Sequence, residues 1–175
     1  DKYTLPMIYE ITLDEAVDLG VVAPYEITVI QTELDAVRTN VLAGSKVKQF
    51  YVTEASNYAY YAKIENSERP EDQVKVNKFF YIRRMQFIYK LNSKLEYAKR
   101  LLKDYIPQNR RTIIFCGSTD HADELATDVY HSKRKKGDIG YDNFVNQIVN
   151  RLACVEALNE GDNLPNVDIA FIEQL

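Results

Sequence analysis

Residues 151–175, RLACVEALNEGDNLPNVDIAFIEQL, decide the fold because they contain two short apolar runs separated by a polar turn. The first run, 152–155, has the composition of a strand that is buried on both faces of a parallel sheet. The second run, 167–172, has the same character. The turn at 159–165 follows the carboxyl end of the first strand, where α/β folds place their ligand sites. Taken alone, a turn of this composition is also typical of an ordinary surface loop.

The segment before this stretch alternates between strand and helix patterns. The predicted elements are, in order, a strand at 111–116, a tight turn at 117–119, a helix at 120–130, a loop at 132–140 and a short helix around 144–149. The end of the first helix, 129–131, has a short strand as its alternative. This alternation predicts an α/β fold in which helices flank a parallel sheet.

The first hundred residues give weaker patterns. They predict a strand at 3–11, a helix at 13–19 ended by Gly20, an extended run at 21–29, a tyrosine-rich helix within 50–62, a linker at 66–72, and helical sequence from 76 to 105, either continuous or broken near Asn92. Two stretches have the capping-box pattern, Thr12 with Glu15 and Ser93 with Glu96, in which each side chain satisfies a free amide of a first helical turn.

Composition and cysteine placement limit the class of protein. The hydrophobic fraction of 46% and the charged fraction of 27% are those of a soluble globular protein. No apolar run approaches the roughly 20 residues of a membrane span. Cys116 and Cys154 each lie in an apolar run, which favours reduced core residues of a cytoplasmic protein. With His121 and His131 as the only histidines, we expect no metal site.

Charge is distributed unevenly along the chain. The whole sequence carries −4, but residues 75–111 contain eleven basic residues against Glu96 and Asp104, a local net charge of +9. A second basic cluster, KRKK, occupies 133–136. A positive surface on an acidic protein is typical of phosphate binding, and a solvated helix face is the equally weighted alternative.

Two loops that follow buried strands carry a resemblance to a known family. The stretch FCGS at 115–118 and the stretch ALNEGDNLP at 157–165 resemble motifs IV and V of the second RecA-like domain of superfamily II helicases. The most similar branch contains DNA repair helicases, restriction-enzyme translocase subunits and phage helicases. The sequence YHS at 130–132 resembles the short motif IVa of that branch. The resemblance covers 110–175 well and 1–35 loosely.

The resemblance implies a division of the chain into three parts. Residues 1–35 would be the first part of the RecA-like domain or an interdomain connection, 36–109 a helical, basic insertion, and 110–175 the core of the helicase C-terminal domain, truncated before motif VI. The sequence contains neither a phosphate loop of the type GxxxxGK[ST] nor a DEAD-like tetrapeptide. In the family both belong to the first RecA-like domain, which would precede Asp1. We therefore expect no ATP hydrolysis by this segment alone.

The resemblance also assigns roles to individual residues. Gly117, Ser118 and Thr119 would contact the phosphates of a nucleic-acid strand through amides and hydroxyls at a helix N-terminus, irrespective of base identity. The further nucleic-acid contacts that it implies are His131, Ser132, Lys135, Asn159 and Glu160. For His131, the alternative is a residue at the end of a strand with no special role.

ATP with Mg²⁺ is the implied cofactor, bound mainly by the first domain, with Gly161 and Asn163 on this side of the cleft. Many family members have aspartate where this chain has Asn163, which leaves the ribose contact open. No catalytic residue is expected within the segment.

The implied function is that of the C-terminal motor domain of an ATP-dependent DNA helicase or translocase. Its partners would be DNA, as a single strand, and the N-terminal RecA-like domain of the same chain. A membrane is not an expected partner. The alternative is a catalytically inactive RecA-like module that acts in protein–protein interaction through the tyrosines of 36–106. A nuclease is poorly supported, because the helix dipole already explains acidic residues in the first turn after Thr119.

Overall fold

A computed structural model describes residues 11–65, 74–133, 137–155 and 164–173. The chain forms two compact units, Asp1–Gln31 and Thr32–Leu175, which are described separately. The first contains helix α1 (Leu13–Asp18), and the predicted capping box is confirmed, since the Thr12 amide donates to the Glu15 carboxylate at 2.9 Å and the Glu15 amide to the Thr12 hydroxyl at 3.2 Å.

Extended segments were predicted on both sides of α1. The run predicted as extended at 21–29 does not pair as a strand in the described part of the first unit. The strand predicted at 3–11 lies outside the described residues except for its last position.

The second unit contains the remaining elements. In chain order they are β1 (Val41–Gly44), β2 (Gln49–Val52), α2 (Glu54–Glu65), α3 (Val74–Ile88), α4 (Asn92–Asp104), β3 (Thr112–Phe115), α5 (Thr119–Leu125), β4 (Val129–Tyr130), α6 (Gly137–Val145), β5 (Arg151–Cys154) and β6 (Ile169–Ile172). β1 and β2 pair antiparallel as a hairpin, and the linker predicted at 66–72 lies outside the described residues.

The other four strands form one parallel sheet in the order β4-β5-β3-β6. In its centre Ile113 of β3 aligns with Leu152 of β5 on one side and with Ala170 of β6 on the other. The strands predicted at 111–116, 152–155 and 167–172 are confirmed, and the short strand at 129–131, the alternative to a longer helix, is the one that forms. β3, β5 and β6 all end at one edge of the sheet, here called the carboxyl edge.

Helices cover both faces of this sheet. On one face α4 and α5 pack against Ile114, Cys116 and Ala153, and on the other face α6 places Phe144 against Ile113 and Leu152. Ile114 and Leu152 are fully buried, and burial of such side chains stabilises the fold by about 1.5–3 kcal/mol each. The predicted α/β class, a parallel sheet flanked by helices, is confirmed.

Two helix predictions need correction. The helix expected around 144–149 begins earlier, at Gly137, and ends at Val145, so part of the loop expected at 132–140 is helical. Gly140 makes this packing possible, because a Cβ there would lie 2.7 Å from the Val129 carbonyl oxygen. The tyrosine-rich helix begins only at Glu54, and Phe50 and Tyr51 belong to β2.

The capping box predicted at Ser93 is wrong, because a distant carboxylate has taken its place. α4 begins after Leu91, whose side chain makes no capping bond. The Ser93 amide and hydroxyl donate instead to the Glu54 carboxylate, at 3.0 Å and 2.5 Å. Helical sequence from 76 to 105 is thus confirmed as two helices, and the second is anchored to the start of α2.

Candidate nucleic-acid interface

The loop after β3 is held by hydrogen bonds of its own residues. Ser118 is the N-cap of α5, and its hydroxyl accepts a hydrogen bond from the His121 amide at 3.2 Å. Capping residues satisfy amides that the first helical turn leaves free, and Ser118 is buried in this role. Since α5 has only seven residues, its dipole offers little attraction to an anion.

Gly117 packs against the helical segment, here the name for α3, α4 and the turn between them. A Cβ at Gly117 would meet the Tyr89 ring at 2.9 Å, so a larger residue would push Tyr89 away. The Gly117 amide donates to a carboxylate oxygen of Glu173 at 3.0 Å. The amide that the resemblance assigns to a phosphate therefore already has an anionic acceptor.

Glu173 is the functional-site candidate that the sequence patterns did not reveal. It follows β6 at the carboxyl edge and is 4% exposed. Its carboxylate lies 2.9 Å from His121 Nδ1 and 3.7 Å from Lys94 Nζ, so it joins β6, α5 and α4. The available signal was an acidic residue directly after an apolar strand, a position that is buried only when charge partners surround it.

Thr119 and Lys133 lie together at this edge. The Lys133 amine donates to the Thr119 hydroxyl at 2.7 Å, and Lys133 is exposed. A lysine held beside a hydroxyl presents a positive charge and several donors to solvent, which suits phosphate oxygens.

His131 and Ser132 continue the edge after β4. His131 is 5% exposed, and its Nε2 lies 3.3 Å from a carboxylate oxygen of Asp123, whereas its Nδ1 has no hydrogen-bond partner. Ser132 is exposed. Of these two, only Ser132 therefore stands open to a ligand in this arrangement.

The second loop of the resemblance is only partly described. The described residues do not include its Asn159, Glu160, Gly161 and Asn163. They also do not include Lys135 of the basic cluster at 133–136. The strand that leads into the loop, β5, is the parallel neighbour of β3, so both loops start from the carboxyl edge. Near the end of the loop, Leu164 packs against the face of the sheet that α6 covers.

A small pocket of about 220 Å³ lies between the helical segment and α5. Lys90 contributes one positive charge to its lining, whereas Asp120 and Glu124 contribute two negative charges. This balance does not favour an anion, so the pocket adds nothing to a phosphate site.

The two cysteines lie in different layers of the core. Cys116 and Cys154 pack on opposite faces of the sheet. Burial raises the pKa of the Cys154 thiol to about 12, and burial together with the Glu173 charge raises the pKa of Cys116 even further above its usual range. Among the described residues, no group of three metal-ligating side chains comes together. A separate finding is that none of the helices within these residues is long and apolar enough to cross a membrane.

Comparison with known proteins finds similarity at the level of solved structures. No protein-family model matches the sequence, and no curated protein matches it. The helicase domain of Hef from Pyrococcus furiosus is similar with a TM-score of 0.38 and 16% identity, over 68% of this chain and 29% of that chain. At such a TM-score the similarity carries no argument about function, and the fold assignment rests on the strand order and packing described above.

Proposed function

We propose that the chain is the C-terminal motor domain of an ATP-dependent DNA helicase or translocase. The observation that carries the proposal is the parallel pairing of β3 with β5. Through it the loop resembling motif IV and the loop resembling motif V leave the sheet at one edge. In α/β folds this edge is where ligands bind.

The described residues suggest how the edge contacts a strand. Thr119 and Lys133 would contact phosphates directly, and Ser132 would add a hydroxyl. Gly117 and Ser118, which have partners within the chain, would fix the shape of the loop. Gly161 and Asn163 would face ATP, held mainly by an N-terminal RecA-like domain of the same polypeptide. Closure of the two domains around ATP would shift the grip on the strand.

The strand contact is tested by binding of the chain to a fluorescein-labelled oligothymidylate, followed by fluorescence anisotropy. Lys133→Glu should weaken binding and lower the slope of log affinity against log salt by about 0.7, the share of one phosphate contact on a single strand. Lys48→Glu, an exposed lysine beside the β1–β2 turn, is the matched control. If both variants weaken binding equally, the assignment of the strand contact to this edge is wrong.

The ATP-dependent part is tested in a longer polypeptide that adds the expected first domain and motif VI. Its ATPase activity should rise when single-stranded DNA is added. Lys133→Glu should then raise the DNA concentration needed for half-maximal stimulation. ATPase activity that does not respond to DNA would contradict the motor proposal.

A second candidate function is a catalytically inactive module for protein–protein interaction. It is favoured by the aromatic residues of the hairpin, since Phe50 is 51% and Tyr51 is 66% exposed, and aromatic side chains are frequent anchors of interfaces. This function would be favoured by a protein partner that binds the chain and no longer binds the Tyr51→Ser variant. In that case we expect the chain to bind neither DNA nor ATP.

A further inference from the structure

One face of α3 combines exposed apolar side chains with positive charge. Residues 79, 82, 83 and 86 follow the helical spacing that brings side chains together, and residue 78 flanks them. Phe79 is 49% and Ile82 is 43% exposed, and the other three are exposed as well. We call this surface the α3 outer face, made of Lys78, Phe79, Ile82, Arg83 and Gln86. Apolar side chains at this spacing usually form a buried stripe, but on α3 they are exposed to solvent.

The charge of α3 is of one sign. Its sequence, VKVNKFFYIRRMQFI, contains four basic residues and no acidic residue. The whole chain carries −4, so this helix is positive against an acidic background. A positive surface of this kind on an acidic protein attracts a polyanion to one place instead of over the whole molecule.

The aromatic ring of the α3 outer face is held in position. The Arg83 guanidinium carbon lies 4.9 Å from the centre of the Phe79 ring, and the Phe80 ring meets Phe79 edge-on at 5.6 Å between centroids. Phe80 itself packs against Tyr60 and Tyr61 of α2. Because Phe79 is 49% exposed, part of this positioned ring remains accessible for a planar group to stack on it.

We propose that the α3 outer face binds single-stranded nucleic acid, with Lys78 and Arg83 contacting phosphates and Phe79 stacking on an unpaired base. Surfaces that bind single strands without sequence preference combine these two features, a positive track and exposed aromatic rings. A duplex offers no free base face to Phe79, so the single strand is the better fit. This site lies outside the loops that resemble motifs IV and V and goes beyond the proposed function.

The charge component is tested with Lys78→Glu/Arg83→Glu, measured by anisotropy with labelled oligothymidylate. We expect at least a 10-fold loss of affinity and a salt slope smaller by about 1.4, because two phosphate contacts each contribute about 0.7. The matched control is Arg100→Glu/Lys103→Glu, which makes the same change in net charge at exposed positions of α4. An equal loss in both double variants would mean that net charge alone governs binding, which overturns the proposal.

The stacking component is tested separately at Phe79. Phe79→Ala should weaken binding about 5-fold or more, and Phe79→Trp should restore it, because any aromatic ring stacks on a base. Tyr105→Ala, which removes an aromatic ring that is 75% exposed at the end of α4, is the control and should have little effect. If Tyr105→Ala costs as much as Phe79→Ala, or if Trp does not restore binding, stacking is refuted. Circular dichroism should show unchanged helix content for all variants.

The outcomes separate this proposal from the proposed function. A loss with Lys133→Glu and none with the α3 variants overturns the α3 site and leaves the strand grip at the carboxyl edge. A loss with the α3 variants alone supports the α3 site and contradicts that grip. If the unaltered chain does not bind oligothymidylate at low salt, the α3 proposal is wrong, and a protein partner becomes the occupant to seek on this face.

Discussion

Glu54 is the residue on which the attachment of the helical segment depends. It is 1% exposed, and its carboxylate accepts from the Asp35 amide at 3.1 Å in addition to the amide and hydroxyl of Ser93. One side chain therefore satisfies backbone donors from two segments that are distant in sequence. Buried donors that lose such an acceptor are costly, because no water replaces it.

Replacement of Glu54 should show this cost. We expect Glu54→Ala to lower the free energy of unfolding by roughly 2 kcal/mol, since the part-buried amides of Asp35 and Ser93 lose their acceptor. Glu54→Gln should cost less, because the amide oxygen still accepts. The measurement is urea unfolding followed by circular dichroism. Glu33→Ala, at an exposed position, is the control and should stay within about 0.5 kcal/mol of the unaltered chain.

At the scale of elements, sequence patterns succeeded where burial is continuous and failed where distant contacts decide. β3 and β5 were predictable because a strand in a parallel sheet with both faces covered leaves an apolar run. β6, the last strand of the sheet, is only half-buried, and its apolar composition alone marked it. The β1–β2 hairpin was missed because Leu42, Phe50 and Tyr51 are exposed, so no alternation marks an inner face. The capping of α4 was missed because the carboxylate that binds Ser93 lies 39 positions away.

The candidate site divides in the same way. The patterns placed Gly117, Ser118 and Thr119 at the end of a strand, and the structure has them there. They did not reveal that Glu173 accepts from the Gly117 amide, because that contact spans 56 positions and depends on β6 lying beside β3. Local sequence reports strand ends, whereas partners across the sheet require the strand order.

The start of α6 offers a prediction about an element. In an exposed helix, Gly→Ala is expected to stabilise by about 1 kcal/mol. At Gly140 we expect the opposite, a loss of about 1–2 kcal/mol, because the added Cβ would lie 2.7 Å from the Val129 carbonyl oxygen and 2.9 Å from its nitrogen. Thermal unfolding measures the difference. Ile139→Ala, 52% exposed on the same helix, should be nearly neutral. A more stable Gly140→Ala variant would contradict the packing of α6 on β4.

At the scale of the whole molecule, the two thiols make it possible to follow the packing of both layers of the core. Cys116 is packed under α4 and α5, and Cys154 lies on the face that α6 covers. Both are buried, and both have raised pKa values in the folded chain. The thiols stay protonated in the folded chain at pH values at which they ionise in the unfolded chain. Their contribution to stability is therefore complete below the pKa of an unfolded thiol, and it is lost as pH rises from there towards the pKa of the folded state.

This gives a pH dependence with a defined sign. The free energy of unfolding should fall as pH rises from about 8.5, the pKa of a free thiol, towards 12, the pKa of Cys154. In the double variant Cys116→Ala/Cys154→Ala the decline should be less steep, since only tyrosines and lysines then titrate. An identical slope in the two proteins would contradict the burial of the thiols. Thiol labelling at neutral pH should be equally slow at both positions if the layers unfold together.

Glu173 also determines which anions can reach the Gly117 amide. The carboxylate is tethered by β6 and engaged by His121 and Lys94, so it acts as a resident competitor at a very high effective concentration. A free phosphate ion or a mononucleotide has to displace it unaided and should bind poorly there. The proposed nucleic-acid strand, held at several other points, would enter by avidity, so we expect binding at this edge to increase with the length of the strand.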